Sequence, residues 1–501
     1  MTNAAHVQTV RHEVQRRLAA TEARGEFQDR VLDAVREFLK DHAMAGKTGA
    51  REFYEFEKAL HERMMEAERE VLADVMSASD VEADAIEIDG VLHRRVLRSA
   101  QTYMTAAGEV KVERWLYKDR REPESHALAA LDVKLGIVEG FWTTRAAEQA
   151  SWVVTQMTPQ KAEELFERVG NMDPSKSSLD RLPKALGARW EKKRKTYEHL
   201  LREAIVVPKE TTTIAVSIDG VLAPVDDDKA SATEVRATAA DEGRQSKGPA
   251  GYREMGCATL AFCDAKGDLI SAIRFGRAPE SKKLSLKDTL RQDLAHVLSK
   301  HPHLRVAKIT DAGSDNWEFT ATLPEGPEIL DFFHATEHLA AALAAVHGEG
   351  TFATRHKFED LRERLLMEDE GAKRVIAALV HLRDKNPRVR KVATVLAYFR
   401  KNKHRMRYAE WKRQGFMIGS GLVEAACKTL VAQRLKLSGM RWGHHGAQAI
   451  LTMRGWDQSD RFDEAWALVA ATYERDVHVL ANVIDITPKP DRKPRRAKTS
   501  R

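Results

Sequence analysis

The sequence predicts a multi-domain α+β protein whose second half is an α/β domain with a mixed sheet, interrupted by an all-helical segment. Three observations carry this. Two β-branched runs, TTTIAVSIDGV and LRVAKITDAG, each lead to an acid, Asp219 and Asp311, as buried strands that end at a site do. Between residues 211 and 345 strand-like runs alternate with amphipathic helical ones, the layer order of an α/β fold. Residues 346 to 415 are helical and charged, and they separate the last strand from a basic helix that starts near Gly419.

Length and composition bound the class. A chain of 501 residues can bury several cores, and 31% charged against 43% hydrophobic residues is ordinary for a soluble globular protein. The net charge of +6 is modest for this length, so where the charge sits matters more than its sum. Cys257, Cys263 and Cys427 form no C-x-x-C pair, which fits a reducing cytoplasm and argues against a cysteine zinc site. No signal-peptide pattern and no bilayer-spanning apolar run is present, so the expectation is a soluble protein that stays inside the cell.

Taken in order, residues 1–85 read as a helical region. Phe53, Phe56, Leu60, Met64, Ala67, Val71 and Val75 form a helical stripe that packs on neighbours or on a second copy, with Met64 and Met65 as core or interface residues. Residues 86–200 read as a small antiparallel sheet followed by a helix-turn-helix outline. The sheet has turns at Asp89–Gly90 and Ala107–Gly108 and carries His93, Arg94, Arg95, Arg98, Lys111 and Arg114. These form a solvated face or follow a phosphate backbone. MTPQKAEELFERVG and the basic-ended helix behind it complete a candidate DNA-binding region.

Residues 205–345 hold three strands in meander, with a hairpin at Ala265–Gly267, then helix, strand, helix, strand, helix. The polar stretch from Asp226 to Gly251 reads as a loop with a solvated Asp226–Asp228 run. Residues 346–415 are the all-α insertion, 416–456 return to the α/β domain, and 457–501 are one more helix and a Pro-rich basic tail suited to polyanions.

The chain is organised around GSGLVEAACKTLVAQRLKLSGMRW, Gly419 to Trp442. Ser420 is a candidate N-cap, Val423, Cys427, Leu430 and Val431 an apolar stripe, and Glu424 an acid in the first turn, favoured by the helix dipole. Lys428, Arg434, Lys436 and Arg441 make its surroundings basic. A single strand-end Asp is often a turn cap. Asp219 and Asp311 on neighbouring strands, with Glu424 delivered by a helix, are a candidate acidic triad. Three convergent carboxylates raise one another's pKa unless a divalent cation sits among them, and hard oxygen ligands select Mg²⁺ or Mn²⁺. Two such ions about 4 Å apart support in-line phosphoryl displacement.

SIDG at Asp219, TDAG at Asp311, DFFHATEHL and the Gly419–Trp442 run, in that order, resemble bacterial insertion-sequence DDE transposases of the ISKra-like group, distantly Mutator-like. The resemblance covers roughly Ile86 to Trp456. It implies a ribonuclease-H-like catalytic domain with an α-helical insertion before the last acid, and Asp219, Asp311 and Glu424 as catalytic and metal-binding residues. Asp331 and His334 match the family's DxxH element as supporting residues. Gly439, Arg441 and Trp442 match its SGMRW ending near the DNA ends, so Lys428, Arg434, Lys436, Arg441 and Trp442 are the candidate DNA contacts. Implied partners are double-stranded DNA, as terminal inverted repeats and target, and further copies in a homodimer or larger synapse at the nucleoid. Asp315, in SDNW after TDAG, competes with Asp311 for the second acid. His334, Glu337 and His338 also spell H-x-x-E-H, a zinc-peptidase pattern that leaves Asp219 and Asp311 unexplained. An inactivated, purely DNA-binding relic is the third reading.

Overall fold

The computed structural model describes residues 29, 32–41, 49–119, 121–122, 125–226, 251–419 and 421–480. Ser420, most of the 226–251 stretch, the first 28 residues and the basic tail lie outside the described residues, and with them the expectations placed there. The chain is mixed α+β, mostly helical, with two five-stranded sheets. It divides into two compact units. One comprises residues up to Ala147 with Leu165–Pro174 and residues from Ala470 on; the other comprises Glu148–Glu164 with Ser175–Val469.

In the first unit β1 (Ala85–Ile88), β2 (Val91–Thr105), β3 (Gly108–Lys118) and β4 (Leu128–Ala129) form an antiparallel meander. Asp89 and Gly90 both have positive φ, 51° and 75°, which closes the two-residue β1–β2 hairpin in the twist sense strands prefer. The outer edge of β1 is taken by His478–Val479. This corrects the expectation of a single helix after Trp456: the helix covers only Phe462–Ala470, and the chain then extends into a strand. Along the helix Ala50–Ser79 the stripe is only partly covered. Ala67 is buried and Phe56 packs on Phe38 at 5.6 Å, while Phe53, Met64 and Val75 stay exposed.

In the second unit the strand order is β7-β6-β5-β8-β9, with β5 Thr213–Pro224, β6 Tyr252–Cys263, β7 Leu269–Arg277, β8 Arg305–Thr310 and β9 Glu328–Leu330. β5, β6 and β7 are antiparallel; β8 and β9 run parallel to β5. The sheet is mixed, as expected. The β6–β7 turn is tied by Asp264, whose Oδ1 accepts the amides of Lys266 (2.8 Å) and Asp268 (2.9 Å) around Gly267 at φ 84°, an Asx-type turn. Helix Leu284–Lys300 buries Leu286, Leu290, Leu294 and Val297 with Ile214, Val216 and Ile218 of β5. Four helices, Phe352–Met367, Gly371–Lys385, Arg390–Asn402 and Tyr408–Arg413, fill the expected helical segment and share a core with β8, β9 and helix Phe332–His347.

The boundary expected near residue 200 falls elsewhere. Helices Lys176–Lys192 and Arg194–Glu203 belong to the second unit. Arg277 of β7 donates to Glu191 (2.7 Å) and Glu198 (2.9 Å), and Gly187 lies so close to Ala449 of helix His444–Asp457 that a side chain there would collide. The focal helix is also interrupted: Gly421–Ala426 is α, Cys427–Ala432 is a π-helix, and Gln433–Leu435 is α again. Such single-turn widenings cluster at functional sites. Its apolar stripe packs as expected, with Val423, Cys427, Leu430 and Val431 buried against Ala223, Met255 and Cys257.

Candidate metal centre

The parallel strands bring three acids to one level. Ser217 of β5 pairs with Ile309 of β8, and Ile309 with Ile329 of β9. Two residues beyond each comes an aspartate: Asp219, Asp311 and Asp331. Register thus brings three carboxylates level with the carboxyl ends of β8 and β9, where sites form in α/β sheets. Asp219 does not end its strand, as the sequence suggests, but sits midway along β5, which runs on to Pro224 against β6, at the point where its pairing with β8 stops.

Each is held locally. Oδ1 of Asp219 accepts the Gly220 amide at 2.7 Å, and Oδ2 accepts the Cys427 thiol at 3.7 Å. Oδ1 of Asp311 accepts the Gly313 amide (3.1 Å) and the Asn316 side-chain amide (2.8 Å). Asp331 is fully buried and caps helix Phe332–His347, accepting the amides of Phe333 (3.1 Å) and His334 (3.2 Å). Asp315 sits inside the short helix Ser314–Thr320. Of the two competitors it is Asp311 whose charge bears on Asp219.

Glu424 comes to this end because its helix buries its apolar stripe on β5 and β6. Gly419 and Gly421 let the chain pass close over Phe333. His334 Nδ1 lies 2.5 Å from Asp331 Oδ2 and 3.3 Å from Glu424 Oε1. The ligand atoms of Asp331, His334 and Glu424 lie within 4.8 Å of one another, a group able to hold a metal ion. Asp219 and Asp311 are outside this tight group, although the charge of Asp219 reaches both Glu424 and His334. His334, read from sequence as supporting, is therefore central to the cluster.

The electrostatics describe a site rich in negative charge. Burial, then the charge of Asp331, raises the Glu424 carboxyl above the usual carboxylate range. Burial, then the charge of Asp311, raises Asp219 despite the Gly220 hydrogen bond. The hydrogen bond that His334 donates to Asp331 lifts His334 to about 9, against its burial, so a proton on Nδ1 sits between two carboxylates where a cation is favoured. Two carboxylates with one imidazole and no thiolate form a group able to hold a divalent cation.

The H-x-x-E-H arrangement does not gather. His338 stacks on Tyr398 at 4.1 Å, Glu337 is exposed, and His334 turns to Asp331 and Glu424 instead.

Of the expected DNA contacts, Lys428, Lys436 and Arg441 are exposed, but Arg434 is corrected. Arg434 is 2% exposed; its Nε donates to the Val154 carbonyl at 3.2 Å and its guanidinium lies 5.0 Å from the Trp442 ring centroid. Burial, and then the neighbouring Arg454, lowers it to about 10. Trp442 is half-buried, donates from Nε1 to the Leu435 carbonyl (3.1 Å) and pairs through its backbone with the end of β5 at Val225. Arg434 is a packing residue, because an arginine stacked and bonded inside has no donor left facing solvent polyanions. Arg434→Ala is therefore expected to cost about 2–5 kcal/mol of stability, as large-to-small core changes do. Arg441→Ala is expected to leave stability within about 0.5 kcal/mol. Urea melts of the two variants check this contrast.

Among the described residues, no helix is long and apolar enough to cross a membrane. Comparison of the chain with protein-family models gives no match, and comparison with curated proteins gives none either.

Proposed function

We propose that this chain is a DDE-type transposase, a metal-dependent enzyme that cleaves DNA at the ends of an insertion sequence and joins the freed 3′-hydroxyls to target DNA. The observation that carries the reading is the level set of acids on adjacent parallel strands, Asp219, Asp311 and Asp331, with Glu424 brought beside them by a helix that follows a four-helix segment. The strand order and the one antiparallel central neighbour of β5 support a ribonuclease-H-like domain with an all-α insertion. Glu424, with Asp331 and His334, would hold one Mg²⁺ or Mn²⁺ ion, and Asp219 and Asp311, level with Asp331, would help to hold a second. Ions held there would activate a water or a 3′-hydroxyl and stabilise the leaving oxygen. Asp331 orients His334 by accepting its Nδ1 proton, and the exposed Lys428, Lys436 and Arg441 bind backbone phosphates. Terminal inverted repeats are the specific DNA partner, and two or more copies assemble on paired ends at the nucleoid.

The test is purified protein with duplexes carrying the element's ends, in Mn²⁺, Mg²⁺ or EDTA. Expected are metal-dependent nicks at the ends and joined products. Duplexes that are bound but uncut in both metals would reject the reading. Removing Arg441 is expected to reduce the slope of log affinity against log salt by about 0.9.

A further inference from the structure

Beside Asp219 lies a pair of facing glycines, Gly220 on β5 and Gly256 on β6, directly paired in the sheet. Gly256 has no room for a side chain, and at Gly220 the space is filled by the exposed end of Glu254. A Cβ at Gly220 would collide with the carboxylate of Glu254, and one at Gly256 would meet Leu286 at 2.8 Å and the stem of Lys283 at 3.5 Å. The two side chains that occupy this floor, Lys283 and Glu254, are paired to each other at 2.9 Å. Lys283 keeps 16% of its side chain exposed and Glu254 keeps 55%.

The backbone that delivers Lys283 is unusual. Lys282 (φ 50°, ψ 20°) and Lys283 (φ 53°, ψ 41°) are consecutive left-handed residues just before helix Leu284–Lys300. Non-glycine residues rarely hold this conformation, and it persists where the surroundings impose it and where function uses it. The turn exposes Lys282 and Leu284 while laying the Lys283 stem against Gly256, on the face of β5 and β6 opposite the one that packs the Glu424 helix. The Lys283 charge is felt at Asp219. A cation held next to the first acid by an exposed carboxylate is a binding group with a replaceable partner. With Glu254 this exposed, the ion pair has little net strength of its own, so an incoming anion displaces the carboxylate readily.

We propose that Lys283 is a positioning residue that takes a backbone phosphate of the DNA strand lying beside Asp219, and that Glu254 holds its ammonium in place until that phosphate displaces it. The inference rests on the strand-transfer reading for the identity of the polyanion. It adds a contact on the opposite side of Asp219 from the basic helix, so the strand is gripped on both flanks of the acids. Glu254 then acts as an internal competitor for DNA.

The experiment is binding of the full chain to a fluorescent duplex in EDTA, over a salt series, for wild type, Lys283→Met, Glu254→Gln and the double variant. Lys283→Met is expected to weaken binding about tenfold and to reduce the salt slope by about 0.9, the loss of one phosphate contact. Glu254→Gln is expected to bind at least threefold more tightly with the slope unchanged, and the double variant to behave as Lys283→Met alone. A merely structural ion pair would lower the melting temperature in both single variants without moving the salt slope. Lys283→Met with the wild-type slope, or Glu254→Gln binding no tighter than wild type, overturns the proposal. Failure of the strand-transfer reading shows separately, as wild-type protein that binds the duplex but leaves it uncut in Mn²⁺.

Discussion

Glu424→Gln is expected to lower metal-dependent strand cleavage by about a thousandfold, roughly 4 kcal/mol of transition-state stabilisation, while leaving the fold intact. The substitution keeps the shape of the side chain and removes one charge from the cluster formed with Asp331 and His334. The sign of the stability change follows from linkage. The Glu424 carboxyl is raised above its ordinary value by burial and by Asp331, so the folded protein takes the proton more readily than the unfolded chain. Its charged form therefore costs stability as pH rises through the raised value. At neutral pH the neutral amide relieves that repulsion, and the metal-free variant should melt no lower than wild type. The wild type should gain stability with added Mn²⁺ through mass action on the folded state, and the variant should lose that gain. Cleavage gels and paired melts with and without Mn²⁺ check both halves. Wild-type cleavage in Glu424→Gln would remove this acid from the mechanism. Asp219→Asn and Asp311→Asn are expected to lose cleavage in the same way.

Arg202→Met is expected to destabilise the second unit by about 3–5 kcal/mol at pH 8, because it leaves a buried carboxylate without its cation. Arg202 Nε donates to Asp293 Oδ1 at 2.7 Å with side-chain exposures of 8% and 4%. Burial already pushes Asp293 up to about 6, with Arg202 opposing it. Without Arg202 the carboxyl rises further, so the folded state binds its proton over a wider pH range than the unfolded chain. The loss is thus full above the variant's raised value, shrinks as pH falls from there to about 6, and is small at pH 5. Urea melts at pH 8 and pH 5 measure it. A loss that grows towards pH 5 would show that Asp293 is not the group left unpaired. Replacing both residues with apolar ones of similar volume should recover much of the stability.

Much of the α/β domain is legible along the chain because it rests on local periodicity. β-branched runs, the Asp264 turn and the amphipathic helix before Arg305 each specify their conformation within a dozen residues. Asp219 and Asp311 stand out because a strand-end acid followed by a small residue is a local pattern. Asp331 and His334 entered through the DxxH resemblance. Their spacing contains no sign that the Nδ1 of His334 reaches Glu424, ninety residues further on. Arg434 and Arg441 look alike in sequence, both basic residues near the end of one motif. One is buried on Trp442 and the other exposed, a difference set by the π-turn and by the pairing of Trp442 with Val225. The His478–Val479 strand was hidden for a similar reason, since two residues become a strand only where an open sheet edge receives them.

The amino-acid order by itself determined most of the elements, their sequence and the acids Asp219 and Asp311, since backbone preference and side-chain periodicity act over a few residues; that β5 runs on past Asp219 to Pro224 was set by its pairing with β6. Only the tertiary structure decided which charges meet. Register across β5, β8 and β9, and the docking of the Glu424 helix on β5 and β6, depend on contacts between distant segments. Whether a side chain faces a partner, a core or water follows from those contacts.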